Sequence, residues 1–79
     1  MIRKHGDKLI KIGLNISYYR KLKNMTQDEL AEKARLSRGV IGHIEAPNMY
    51  KSFSFSTLFS IAEALEIPAY QLLVFKDEN

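Results

Sequence analysis

The chain has 79 residues, 46% hydrophobic and 27% charged, enough for one domain with a modest core and with no compositional reason for disorder. It contains no cysteine, which excludes a disulfide framework and cysteine-ligated zinc and is compatible with a reducing interior. The net charge of +3 is unevenly spread: through Asn24 there are seven Lys/Arg against one Asp, whereas residues 25–45 carry a net −1 and the remainder a net −2.

A chain this short buries only about 60% of its unfolded surface, so a stability of a few kcal/mol is expected and a partner subunit would add to it. No apolar stretch is long enough to span a bilayer. The start, Met1-Ile2-Arg3-Lys4-His5-Gly6, lacks the apolar core of a secretion signal, so a cytoplasmic location is the expectation. The basic front suits a polyanion, because each neutralised phosphate releases condensed counterions. A solvated helix face accounts for the same charges equally well.

Residues 1–7 are polar and read as a mobile arm, with Asp7 placed to cap a first helix. Leu9, Ile12, Ile16 and Tyr19 form one helical stripe with Lys8, Lys11, Ser17, Lys21 and Lys23 mainly off it, which predicts a helix over about 8–23. Asn24 is suited to the left-handed conformation that ends it. Thr26, with Glu29 three residues on and Leu30-Ala31 behind, is a reciprocal capping box, so a second helix starts at about Gln27.

Ser37 caps a third helix after a turn of about two residues. Leu30, Ala31, Ala34, Leu36, Ile41 and Ile44 face inward if these helices cross steeply, and Ala31 lets the backbones approach. Arg38, Gly39, Gly42 and His43 are left outside. Pro47 and Asn48 mark a loop running to Ser54. Ser54 or Ser56 caps a fourth helix with Leu58, Ile61, Ala62 and Leu65 as its apolar face, and Pro68 opens a fifth completed by Tyr70 to Phe75. The expected fold is all-α, a compact bundle of five short helices forming a single domain over 1–79, with its core at about 8–75.

Thr26-Gln27, Glu29-Leu30-Ala31, Leu36-Ser37-Arg38, Ile41, Ile44 and Glu45 resemble the Cro/C1-type (Xre-like) helix-turn-helix domain of phage repressors and bacterial regulators. Ile12-Gly13, Asn15-Ile16 and Tyr19-Arg20 look like that family's first helix, and Leu58, Ile61-Ala62, Ala64-Leu65, Ile67 and Leu72-Leu73 like its closing helices. The resemblance covers roughly residues 8–75. It implies a lambda-repressor-like domain with helices 2 and 3 as the helix-turn-helix, and a sequence-specific, repressor-like regulator that reads double-stranded DNA in the major groove.

The same resemblance implies the site. Gln27 takes the family's contact to the DNA backbone with Thr26 as the cap beside it, and helix-start amides attract phosphate in any case. Ser37, Arg38, Gly39, Val40 and His43 occupy positions that touch bases or nearby phosphates, Arg38 foremost because Arg is the usual reader of guanine. Gly39 and Gly42 each cost roughly 0.5–1 kcal/mol of helix stability relative to Ala. Either bare backbone lets the helix approach DNA closely, with Val40 available to a thymine methyl, or fewer base-reading side chains shift recognition toward DNA shape.

In the loop, Asn48, Tyr50 and Lys51 are candidate phosphate contacts, while Met49, Phe53 and Phe55 pack. Arg20 and Glu45 fall at positions that form a partly buried ion pair in the family. Arg35 stands where the family often has Gly, so a positive φ is expected there. No catalytic grouping, cofactor motif, metal-binding His pair or small-molecule site is evident. The expected partners are double-stranded DNA and a second copy of the chain, with recognition helices about 34 Å apart. The alternative is a protein-interaction module of the same fold, such as an antitoxin or adaptor, using the Tyr70 to Phe75 end.

Overall fold

The computed structural model describes residues 5–47 and 52–75. Four α-helices, α1 (Gly6–Leu22), α2 (Gln27–Ala34), α3 (Arg38–Glu45) and α4 (Phe55–Leu65), are followed by a 3-10 helix at Ala69–Leu73, with no strand among the described residues. The all-α class follows the sequence. The fifth α-helix does not form.

The helix starts are local chemistry. In α2 the Glu29 amide donates to Thr26 Oγ1 at 3.0 Å and the Thr26 amide to Glu29 Oε1 at 2.8 Å, completing the capping box. Ser37 Oγ accepts from the Val40 amide at 3.1 Å to open α3, and Ser54 Oγ accepts from the Thr57 amide at 3.1 Å to open α4. Helix α1 begins at Gly6, earlier than its apolar stripe suggests, and His5 makes no side-chain cap. Asp7 therefore lies inside the first turn, where its charge suits the positive helix end, and neither it nor Gly6 belongs to an arm.

Three helices end in the same way. Asn24, Arg35 and Glu66 adopt left-handed backbone at φ 59°, 60° and 59°. The amide that follows each reaches back five residues: Met25 to the Arg20 carbonyl (3.0 Å), Leu36 to that of Ala31 (2.9 Å) and Ile67 to that of Ala62 (3.1 Å). Asn24 and Arg35 meet expectation, whereas nothing in the residue type marks Glu66. Helix α3 stops at Glu45 because Ala46, preceding Pro47, is held extended at φ −66°, ψ 124°.

Ile16, Leu30, Ile41, Ile61, Leu65 and Leu72 are the largest fully buried side chains, so every element contributes to one core. Helix α2 packs on both α3 and α4, while α1 packs on α3 and on the 3-10 helix. At Gly13 α1 and α3 come so near that a Cβ would run into the main-chain carbonyl of Ile44.

The closing segment is short because only Leu72 is buried there, while Tyr70, Leu73 and Val74 stay exposed. Asn15 of α1 donates its amide to the carbonyls of Leu72 (2.9 Å) and Val74 (3.0 Å), tying the closing segment to α1. Phe53 packs half-buried against the core. Phe55 does not pack: it is 74% exposed at the outer start of α4 and stacks on Phe59 at 6.1 Å.

Candidate nucleic-acid interface

The helix-turn-helix is fixed from below by a buried ionic cluster. Arg20, near the end of α1, donates from Nε to Glu45 Oε2 at 2.8 Å and from Nη2 to Glu45 Oε1 at 3.0 Å, with side chains only 11% and 4% exposed. Its Nη1 donates to the Met25 carbonyl at 2.7 Å. One guanidinium thus joins the end of α1, the entry to α2 and the last residue of α3, and the planar fork suits this three-way task better than an ammonium.

Gln27 extends the cluster toward solvent, donating from Nε2 to Glu45 Oε1 at 3.0 Å. Because the first amides of a helix have no intrahelical acceptor, the main-chain N–H groups of Gln27 and Asp28 offer an anion site at the start of α2. Arg38, the first residue of α3, is exposed with its Nε 3.7 Å from Asp28 Oδ1, an ion pair too solvated to hold it firmly. Arg38 Nη1 and Gln27 Oε1 lie 3.6 Å and 4.0 Å from where a Cβ on Gly42 would be. The tips of Gln27 and Arg38 therefore share one face.

The other sequence-selected residues distribute as follows. Thr26 and Ser37 are exposed caps, and Gly39 and His43 are exposed on α3. Gly42 is half-buried, and Val40 leans half-buried against the core, which limits the surface it can offer a ligand. Asn48 and Lys51, with Met49 and Tyr50, lie outside the described residues. Gly39 and Gly42 both have ordinary helical φ and room for a Cβ, so the fold does not require glycine at either.

Two contributors escaped sequence reasoning. Gly13, quoted with Ile12 only as part of the resemblance, sets how closely α3 sits on α1, and a contact without a hydrogen bond leaves no pattern that gives it this role. The Gln27–Glu45 hydrogen bond joins residues 18 apart in sequence, and only the resemblance that paired Arg20 with Glu45 brought its neighbourhood into view.

A family model described as helix-turn-helix matches residues 16–72. The HTH-type transcriptional regulator SinR of Bacillus licheniformis is 36% identical over 68 residues, covering 86% of this chain and 60% of its own length. The chain thus spans less than two thirds of that curated relative. The N-terminal DNA binding domain of SinR from Bacillus subtilis superimposes with a TM-score of 0.77 at 33% identity, over 87% of this chain and 99% of that one. The restriction-modification controller protein C.AhdI from Aeromonas hydrophila does so with a TM-score of 0.75 at 28% identity, over 81% and 94%.

Proposed function

Because the chain belongs to the Cro/C1-type helix-turn-helix family, we propose that it is a sequence-specific, double-stranded DNA-binding transcriptional regulator of repressor type, with α3 entering the major groove. The observation that carries this reading is the convergence of Gln27 and Arg38 over the bare backbone of Gly42 on an exposed face anchored to the interior through Glu45. Amides at the start of α2 take a phosphate, and base edges meet the first turn and outer flank of α3, including Ser37, Arg38, Gly39 and His43. Thr26 and the loop residues Asn48 and Lys51 add backbone contacts. The protein acts in the cytoplasm, where its DNA is, and carries out no catalysis.

The reading includes a homodimer. Leu14, Tyr18, Leu73 and Val74 are all exposed, and α1 and the closing segment enclose an open groove of about 450 Å³. Apolar surface of this kind on so small a domain supports a subunit contact. Two copies would present two α3 helices to successive turns of a palindromic site.

Selection of duplexes from a random pool, followed by titration at several salt concentrations, tests the function. A defined site should emerge whose affinity falls with salt and is lost on Arg38→Ala, while melting of the protein is unchanged. Retention of full affinity by that variant overturns the assigned reader. Sedimentation showing only monomer at micromolar concentration, with and without the selected duplex, overturns the dimer.

A further inference from the structure

Gln27 begins α2 and Arg38 begins α3, yet their polar ends meet at one bare stretch of backbone, 4.0 Å and 3.6 Å from the missing Cβ of Gly42. Which amide atom of Gln27 faces that spot is set by the interior. Glu45, bridged twice by Arg20, presents a carboxylate that has only acceptors, so the atom meeting it at 3.0 Å is the Nε2 donor. Gln27 Oε1, an acceptor, is left over Gly42 beside the Arg38 donors. A phosphate offers no hydrogen to such an oxygen. A base amino group does.

Glycine at position 42 has no conformational cause, since its φ is not positive and a methyl would meet only the two side-chain tips at ordinary contact distance. It nonetheless weakens α3. A donor fork and an acceptor flanking a notch match the major-groove edge of one base pair: guanine presents N7 and O6 as acceptors, and its cytosine presents the N4 amino donor. An A·T pair orders its groups differently and would set Gln27 Oε1 against a carbonyl or a methyl.

We propose that Arg38, Gln27 and Gly42 together read one G·C pair, Arg38 donating to guanine, Gln27 Oε1 accepting from cytosine N4, and Gly42 leaving the space in which the pair's edge lies. This rests on the DNA-binding reading above and makes Gln27 a base reader through its side chain.

The test compares duplex selection and affinity for the wild-type chain with Arg38→Ala, Gln27→Ala and Gly42→Ala, with a melting curve for each variant. The enriched site should contain a G·C pair whose preference vanishes in both Arg38→Ala and Gln27→Ala. Affinity for that site should drop about tenfold or more while that for a shuffled duplex holds. Gly42→Ala should melt higher and also bind the site more weakly. With the wild-type chain alone, replacing the paired cytosine by a pyrimidin-2-one that lacks the amino group should cost a similar factor. A uniform loss across all duplexes in Gln27→Ala, relaxation at a pair other than that of Arg38, indifference to the analogue, or undiminished binding by Gly42→Ala each overturns the proposal while leaving DNA binding intact. Enrichment of no duplex at all overturns the DNA reading itself.

Discussion

Gly13 of α1 lies against the main-chain carbonyl of Ile44 in α3 so closely that no Cβ fits between them. The obstacle is backbone, which cannot swing aside as a side-chain tip can. Gly13→Ala gains up to about 1 kcal/mol of helix propensity. Overpacking between two backbones costs more, and the expected net effect is a loss of roughly 2 kcal/mol in urea denaturation, a large part of what so small a domain has. A variant as stable as the parent would show that α1 and α3 separate at no cost.

Gly39 should behave in the opposite sense. Its φ is ordinary for a helix, and the nearest atom a Cβ would meet is Ser37 Oγ at 3.9 Å. Gly39→Ala is expected to raise stability by about 0.5–1 kcal/mol, read as a higher urea midpoint with an unchanged slope. Two glycines in one chain thus carry opposite signs, and what separates them is the atom opposite.

Glu45 accepts from Arg20 and Gln27 in a nearly closed pocket. Glu45→Ala removes the partner of two Arg20 N–H groups and strands a buried cation, which typically costs about 3–5 kcal/mol. Thermal unfolding should show the loss. In any fraction that remains folded, Gln27 has lost the acceptor that orients it, so selection among duplexes should relax as well.

Much of this was legible in the residues. The helix starts could be read because Thr26, Glu29, Ser37 and Ser54 act within three residues of themselves. The inward faces could be read because Ile12, Ile16, Leu30, Ile41, Ile61 and Leu65 repeat at helical spacing. The 3-10 form of the last element could not be read, nor could its tie to Asn15, which lies 57 residues before Leu72 in sequence. Phe55 misled through its apolar type, for it lies at a helix start beyond the edge of the core. At the candidate interface, the places of Gln27 and Arg38 at the starts of α2 and α3 were legible, while the direction of the Gln27 amide was fixed only by a tertiary contact with Glu45.

The left-handed residues at two helix ends are a reserve of stability. Arg35 at φ 60° and Glu66 at φ 59° hold a conformation that costs side chains with a Cβ energy that glycine avoids. Arg35→Gly and Glu66→Gly should each stabilise by about 0.5–1 kcal/mol, offset in part by the greater freedom of glycine in the unfolded chain. For a domain of this size that is a rise of several degrees in Tm, on the order of 4–8 °C per kcal/mol. A fall in Tm in both would mean that these side chains make contacts worth more than the strain.

Asn15 offers a way to separate local from global stability. Its amide holds the carbonyls of Leu72 and Val74, and Leu72 is the one fully buried residue that the 3-10 helix gives to the core. Asn15→Leu keeps the size and removes both hydrogen bonds, at about 1–2 kcal/mol for the pair. The lost bonds tie only the chain end to α1, so hydrogen exchange should quicken first at amides in 69–75. Amides of α2 and α3, whose caps and ionic cluster are untouched, should keep most of their protection. Equal quickening throughout would instead show that the closing segment and the helix-turn-helix open together, so that docking of Leu72 controls the stability of α2 and α3.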